Sequence, residues 1–321
     1  MRVIEVQNYG GPDVLKEAER ENTKPLEQQI KIEVKAAGIN FADLMARAGL
    51  YPGGPKPPFV PGFEVAGIVT ELGAEVSKFK VGERVMGLLF NYGGYASSAI
   101  LEADTVISLP DKLGFAEATA LLVQGLTALF LLEEAGSSNG KSILIPGAAG
   151  GVGSLAIQLA KIKGASKIIA LASPNKHDLV KSLGADLAID YTKAGWSKVV
   201  LENTESKGVD IFLDSQGDFE GEGFATLAPG AHWMIYGAQA ASNKPLAGDK
   251  LWALLGKNLT LRGYSLYGSA PHFARGLKEL IELTVTNKLR INVQSFPLEE
   301  AAKVHAAIAD RKTTGKVVLL P

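Results

Sequence analysis

Ser142-Ile143-Leu144-Ile145-Pro146-Gly147-Ala148-Ala149-Gly150-Gly151-Val152-Gly153-Ser154 is the stretch that decides the fold. It reads as a short buried strand, a glycine-rich turn and the first turn of a helix. Glycines let a backbone turn sharply and approach a ligand, and the N–H groups at a helix start face anions. Ala149, Gly150, Gly151 and Val152 are therefore candidate contacts for the pyrophosphate of a dinucleotide. The spacing is an alanine–glycine variant of G-x-G-x-x-G, so the surrounding chain must complete the assignment. After the turn, Val152, Leu155, Ala156, Leu159 and Ala160 recur at helical spacing and present one face to a sheet. Short apolar runs follow at 167–172, 186–190, 209–214, 231–237 and 258–263. They are bounded by turn signals and separated mostly by helical patterns, which suits a parallel sheet buried on both faces. With the opening strand they make six. The expected class is α/β, with a doubly wound six-stranded sheet.

The rest of the chain has another style. Ile30, Ile32, Val34 and Ala36 alternate with Lys31, Glu33 and Lys35, a period of two that fits a half-buried antiparallel strand. Runs at 60–73 and 81–86 continue a β-rich first third. Tyr51-Pro52-Gly53-Gly54-Pro55-Lys56-Pro57-Pro58 is a surface loop. At the C-terminal end, 273–287 and 298–310 read as helices and 316–320 as a closing strand.

The chain has 321 residues, enough for two cores. Lys plus Arg is 33 and Asp plus Glu is 34, a net charge of −1 that gives no footprint for nucleic acid. There are no cysteines, which excludes disulfides, thiolate metal sites and cysteine nucleophiles. No uninterrupted apolar run reaches the ~18 residues of a membrane span. A cytoplasmic protein is expected.

Several motifs carry a resemblance. Ala36-Ala37-Gly38-Ile39-Asn40-Phe41-Ala42-Asp43, Gly62-Phe63-Glu64-x-x-Gly67 with Gly73, Gln124-Gly125-Leu126-Thr127-Ala128, the turn at 147–153 and Lys161-x-x-Gly164-Ala165 follow one another in order. The chain resembles the medium-chain dehydrogenase/reductase superfamily, within it the zinc-free quinone oxidoreductase branch that includes zeta-crystallin. Residues 40–51 also resemble the vesicle amine transport protein homologues. The resemblance implies a GroES-like β-barrel-type domain at 1–123 and 266–321, a Rossmann domain at 124–265, and an active site in the cleft between them.

Superfamily members that use catalytic zinc bind it with Cys, His and Cys. The matching places here are Asn40, Phe63 and Gln124, which do not suit zinc. His177, His232, His272 and His305 are scattered and read as surface or strand residues. No metal is expected, and reduction of an already activated acceptor is favoured over alcohol oxidation. The second Rossmann strand ends Ala172-Ser173-Pro174-Asn175-Lys176 without the acid that an NAD enzyme places on the ribose. Ser173 and Lys176 suit a 2′-phosphate instead. The resemblance adds Tyr191 and Arg311 to that cradle, so NADPH is the expected cofactor.

Asn40, Tyr51 and Gln124 are the candidate catalytic residues. Asn40 and Gln124 would hydrogen-bond a developing oxyanion or the ribose, and Tyr51 would cover the site or donate a proton. Thr127, Tyr236, Gly237, Ser265 and Leu266 fall where the resemblance places ribose and nicotinamide contacts. The expected activity is reduction of quinones or α,β-unsaturated carbonyls. Non-catalytic NADPH binding and enoyl-thioester reduction are the alternatives. A homodimer, or a tetramer, paired through the last Rossmann strand is the expected assembly.

Overall fold

The computed structural model describes residues 1–238 and 248–321. Contacts divide the chain into two units, Met1–Gln124 with Leu280–Pro321, and Gly125–Glu279.

In the first unit, β1 (Arg2–Val6) and β2 (Leu15–Glu19) form an antiparallel pair. β3 (Gln29–Ile39) is the spine of a larger sheet. Its alternation holds on one face through Ile30, Ile32 and Val34, but Lys31 is buried as well, held by Glu71 at 2.9 Å. The strand is therefore buried on both faces over much of its length, because its neighbours cover it. At its end Asn40 stays extended and α1 (Phe41–Arg47) begins. β4 (Glu64–Leu72), β5 (Arg84–Leu88), β6 (Ser98–Glu102) and β7 (Val106–Ser108) follow. All pair antiparallel, β4 and β6 against β3. Residues 51–58 form neither helix nor strand.

One helical run then carries the chain across the division. α2 (Phe115–Ala120) passes through a π-helical turn, Leu121–Gly125, into α3 (Leu126–Glu134). Phe115–Glu134 is 20 residues, and an 18-residue window within it has mean hydropathy 1.7, long and apolar enough to cross a membrane. That window is 72% buried, so its apolar faces are spent on packing. The run is not uninterrupted, since Glu117 and Gln124 fall within it, and only its average reaches that level.

The second unit holds β8 (Ser142–Ile145), α4 (Gly151–Ile162), β9 (Lys167–Leu171), α5 (His177–Ser182), β10 (Leu187–Ile189), α6 (Trp196–Glu202), β11 (Val209–Asp214), β12 (Leu227–Ile235), α7 (Gly248–Gly256) and β13 (Thr260–Gly263). The strand order is β10-β9-β8-β11-β12-β13 and every pairing is parallel. This is the doubly wound order, with its reversal between β8 and β11. Trp233 is fully buried among Phe212, Phe219 and Phe224, and its indole N–H donates to Asp214 at 3.0 Å.

α8 (Phe273–Val285) carries the chain back. Its first half belongs to the second unit, because Arg275 grips Glu133 of α3 with bonds of 3.0 and 2.6 Å. A Cβ on Gly276 would also stand 2.7 Å from Leu126. The observed return thus lies at 279/280, where the sequence expectation puts 265/266. β14 (Val293–Pro297), α9 (Ala301–Ala309) and β15 (Lys316–Leu320) complete the first unit. β15 pairs antiparallel with β3 and parallel with β14, giving β14-β15-β3-β4-β5-β7 with β6 on β3. β14 has no strong signal of its own: Val-Gln-Ser-Phe-Pro is mostly half-exposed.

Candidate functional site

Within the first unit, polar side chains gather where β3 ends and β4 and β15 begin. Glu64 and Lys316, the first residues of β4 and β15, are 0% and 1% exposed and form an ion pair. β3 lies between their strands, and Gly38 on it makes the room. A Cβ there would stand 2.3 Å from the Glu64 carboxylate. The pair is saturated with further bonds, which a buried pair requires. Glu64 Oε1 accepts from Asn40 Nδ2 at 2.7 Å, and Oε2 accepts the Val123 N–H at 2.7 Å. Lys316 Nζ donates to the Ile39 carbonyl at 3.2 Å and to Asn40 Oδ1 at 3.4 Å.

Gln124 joins the same group, donating from Nε2 to the Ile39 carbonyl at 3.3 Å. That contact fixes the amide's orientation, since the reversed amide would set two oxygens against each other. Its Oε1 is buried and has no hydrogen-bond partner in the protein. An orphaned acceptor costs free energy unless a ligand or water supplies a donor. Asn40, by contrast, has both amide atoms engaged. Tyr51 is half-buried and packs its ring 5.9 Å from that of Phe63, the neighbour of Glu64.

A second layer lies beneath. Asp43, fully buried, accepts the Asn40 N–H at 2.8 Å and the Gly62 N–H at 3.0 Å. Burial outweighs these donors and pushes its carboxyl up to about 7, with the Glu64 charge adding to the rise. Tyr95, also buried, feels the Asp43 charge, and its hydroxyl lies 2.9 Å from His305 Nε2. Burial first, then the neighbouring Asp43 and Glu64 charges, raise the Tyr95 phenol well above its ordinary value. His305 is fully buried on α9, which corrects its reading as a surface or strand residue. α9 packs into the core, and Tyr95 makes the burial tolerable. Burial, with the Arg47 charge, lowers the imidazole to about 3, so it is neutral. His177 and His232 are half-buried and His272 is exposed.

In the second unit, Gly147 turns the chain with φ 59° at the end of β8. Ala148 N–H donates to the Leu171 carbonyl at 3.2 Å, tying the turn to β9. A Cβ on Gly153 would stand 2.5 Å from the Gly147 carbonyl oxygen, so only glycine lets α4 sit on its own turn. No side chain caps α4. An uncapped, glycine-lined helix start beside a strand reversal fits a pyrophosphate. Ala149 is buried there, and Gly150, Gly151 and Val152 are half-buried.

The neighbouring strand ends close around it. Ser215 Oγ lies 3.6 Å from where a Gly147 Cβ would be. A Cβ on Gly237 would stand 2.1 Å from the Ser215 carbonyl, and the Tyr236 side chain hydrogen-bonds Ser215. Asp214 holds this turn by accepting the Gln216 and Gly217 N–H groups at 2.7 and 3.1 Å. Ser265 precedes the 3₁₀ turn Leu266–His272, and Tyr264 N–H donates to the Ile235 carbonyl at 2.7 Å. After β9, Ser173 accepts the Lys176 N–H at its carbonyl, 2.9 Å, and burial lowers the Lys176 ammonium. Tyr191 packs against the core of this unit. Thr127 is buried in α3. Arg311 belongs to the first unit, exposed and left-handed with φ 58° just past α9.

Residues 26–111 match the family model described as alcohol dehydrogenase GroES-like domain, and 183–319 that described as zinc-binding dehydrogenase. A quinone oxidoreductase of Pseudomonas aeruginosa is 35% identical over 325 residues, 99% of each chain. The chain belongs to the quinone oxidoreductase branch of the medium-chain dehydrogenase/reductase superfamily. The human synaptic vesicle membrane protein VAT-1 homolog-like is 32% identical over 99% of this chain and 80% of that one. The Escherichia coli quinone oxidoreductase, solved in complex with NADPH, superposes with a TM-score of 0.93 at 31% identity, covering 100% of both chains.

The second family model carries zinc in its description, so the fit of that ion matters. Phe63 packs its ring tilted against Tyr92, centroids 4.5 Å apart, Asn40 is bound to Glu64 and Lys316, and Gln124 points its nitrogen at Ile39. These side chains do not fit a zinc ion. Among the described residues, no group of three or more His, Asp or Glu could hold a metal.

Glu64, Lys316, Tyr95, His305, Asp214 and Ser215 were not singled out as functional in the sequence. One signal existed: Lys316 and Glu64 each put a charge at the head of an apolar strand.

Proposed function

We propose that this member of the quinone oxidoreductase branch is an NADPH-dependent reductase of quinones and α,β-unsaturated carbonyls. The observation that carries the cofactor choice is the end of β9, where Ser173 and Lys176 stand with no carboxylate among them. Lys176 and Ser173 would bind the 2′-phosphate, with Tyr191 beside them, and a cation–phosphate bond is worth more than a neutral one. Gly150, Gly151 and Val152 would hold the pyrophosphate. NADPH supplies a hydride when bound. That the Escherichia coli quinone oxidoreductase was solved in complex with NADPH supports this choice.

The first unit would orient the acceptor. Gln124 offers its unpartnered Oε1 to a hydroxyl, so it accepts a bond and leaves oxyanion stabilisation to other donors. Asn40 keeps the end of β3 in place. Tyr51, on the Pro/Gly loop, excludes water or delivers a proton. Quinones and enones are already activated, so they need little further polarisation by protein groups. NADPH binding without turnover is the second reading, favoured by the full engagement of Asn40 and by the likeness to the VAT-1 homologue.

The test is twofold. Titration should show NADPH bound at least tenfold more tightly than NADH, and Lys176→Ala should erase most of that difference; equal affinities would refute the phosphate assignment. NADPH oxidation should then depend on added quinone or enone. Tight binding with no turnover across a broad panel supports the second reading instead.

A further inference from the structure

We propose that the buried Glu64–Lys316 pair is a positioning device that holds Asn40 and Gln124 in one fixed relation. The inference rests on the reading of those two residues as the acceptor-orienting groups. One carboxylate reaches both: Oε1 takes the Asn40 amide and Oε2 takes the N–H of Val123, next to Gln124. Lys316 reaches the same two from the other side. It donates to Asn40 Oδ1 and to the Ile39 carbonyl, the oxygen that also receives Gln124 Nε2. The three strand ends involved are adjacent in the order β15-β3-β4.

Two features argue for more than a structural tie. The Val123–Gln124 backbone lies in the π-helical turn Leu121–Gly125, a local departure that needs an outside acceptor and that recurs at functional sites. A fully buried ion pair also contributes little net stability compared with apolar side chains of similar size, while fixing the geometry of everything bonded to it. Gly38 is kept small directly against the carboxylate, so the pair has one seat.

The test uses the paired substitutions Glu64→Met with Lys316→Met, which remove both charges and avoid stranding one. The double variant should fold and bind NADPH within about twofold of the parent. Its kcat with quinone should fall roughly a hundredfold, the scale of a misplaced orienting group. Amide hydrogen exchange in the segment containing Val123, read by mass spectrometry, should accelerate at least tenfold. Glu64→Gln with Lys316→Met keeps one amide oxygen as acceptor and should recover part of both losses. A folded double variant with parental kcat and unchanged Val123 protection overturns the proposal. Should the Met pair fail to fold, the Gln–Met pair decides by the same two readings, with parental values overturning it. If the parent itself shows no acceptor-dependent turnover, the reductase reading fails, and the exchange measurement still decides the positioning role.

Discussion

Replacing Asp43 by asparagine separates two consequences of burying a carboxyl group. Asp43 rises from 3.8 to about 7 in the fold, chiefly through burial. That is about three pH units at about 1.4 kcal/mol each, so the ionised group costs on the order of 4 kcal/mol. The sign follows from proton counting. Between pH 3.8 and 7 the folded state holds more protons than the unfolded one, so this contribution falls as pH rises through that window and is fully lost above it. Asparagine cannot ionise, but its amide has one oxygen for the two N–H groups of Asn40 and Gly62. The unsatisfied donor costs about 1–3 kcal/mol at every pH. The variant should therefore be less stable than the parent at pH 4.5 and gain on it, by about 3 kcal/mol, up to pH 8. Urea unfolding at a series of pH values measures this. Far-UV circular dichroism is the probe, because Trp196, Trp233 and Trp252 all lie in the second unit. Stability curves that run parallel from pH 4.5 to 8 would refute the reasoning.

His305 works in the opposite sense. Its imidazole is lowered to about 3, so its contribution is present above pH 6.5 and is lost as pH falls toward 3. The stability gap between the parent and His305→Gln should narrow by about 3 kcal/mol between pH 7 and pH 4; a constant gap contradicts a neutral buried histidine. Gly153→Ala puts a methyl against backbone that no rotamer can move. It should cost about 1–3 kcal/mol of stability and weaken NADPH binding at least tenfold by fluorescence titration, and an unchanged affinity would remove the turn from the site. β13 is an edge strand with all four residues exposed, Leu261 at 38%. We propose that a second copy pairs there. Light scattering should give a dimer for the parent and a monomer for Leu261→Lys, and a monomeric parent would end that proposal.

The six runs that begin at Ser142 determined the doubly wound sheet without any structure. Each strand, turn and helix there is written in neighbouring residues: apolar runs of strand length, glycines where φ is positive, helical spacing after the turn. The missing acid after Ala172 was legible for the same reason, since one strand end is a local feature. The polar cluster was not legible. Glu64 and Lys316 are 252 positions apart, and Tyr95 and His305 are 210 apart. Nothing in the residues around Lys316 says that its strand will pair with β3, and nothing around His305 says that its helix will bury it against a tyrosine. Those pairings follow from strand order, which is set by the packing of the whole first unit. Burial then does the rest, turning ordinary charged side chains into groups that must bond one another because no water can reach them.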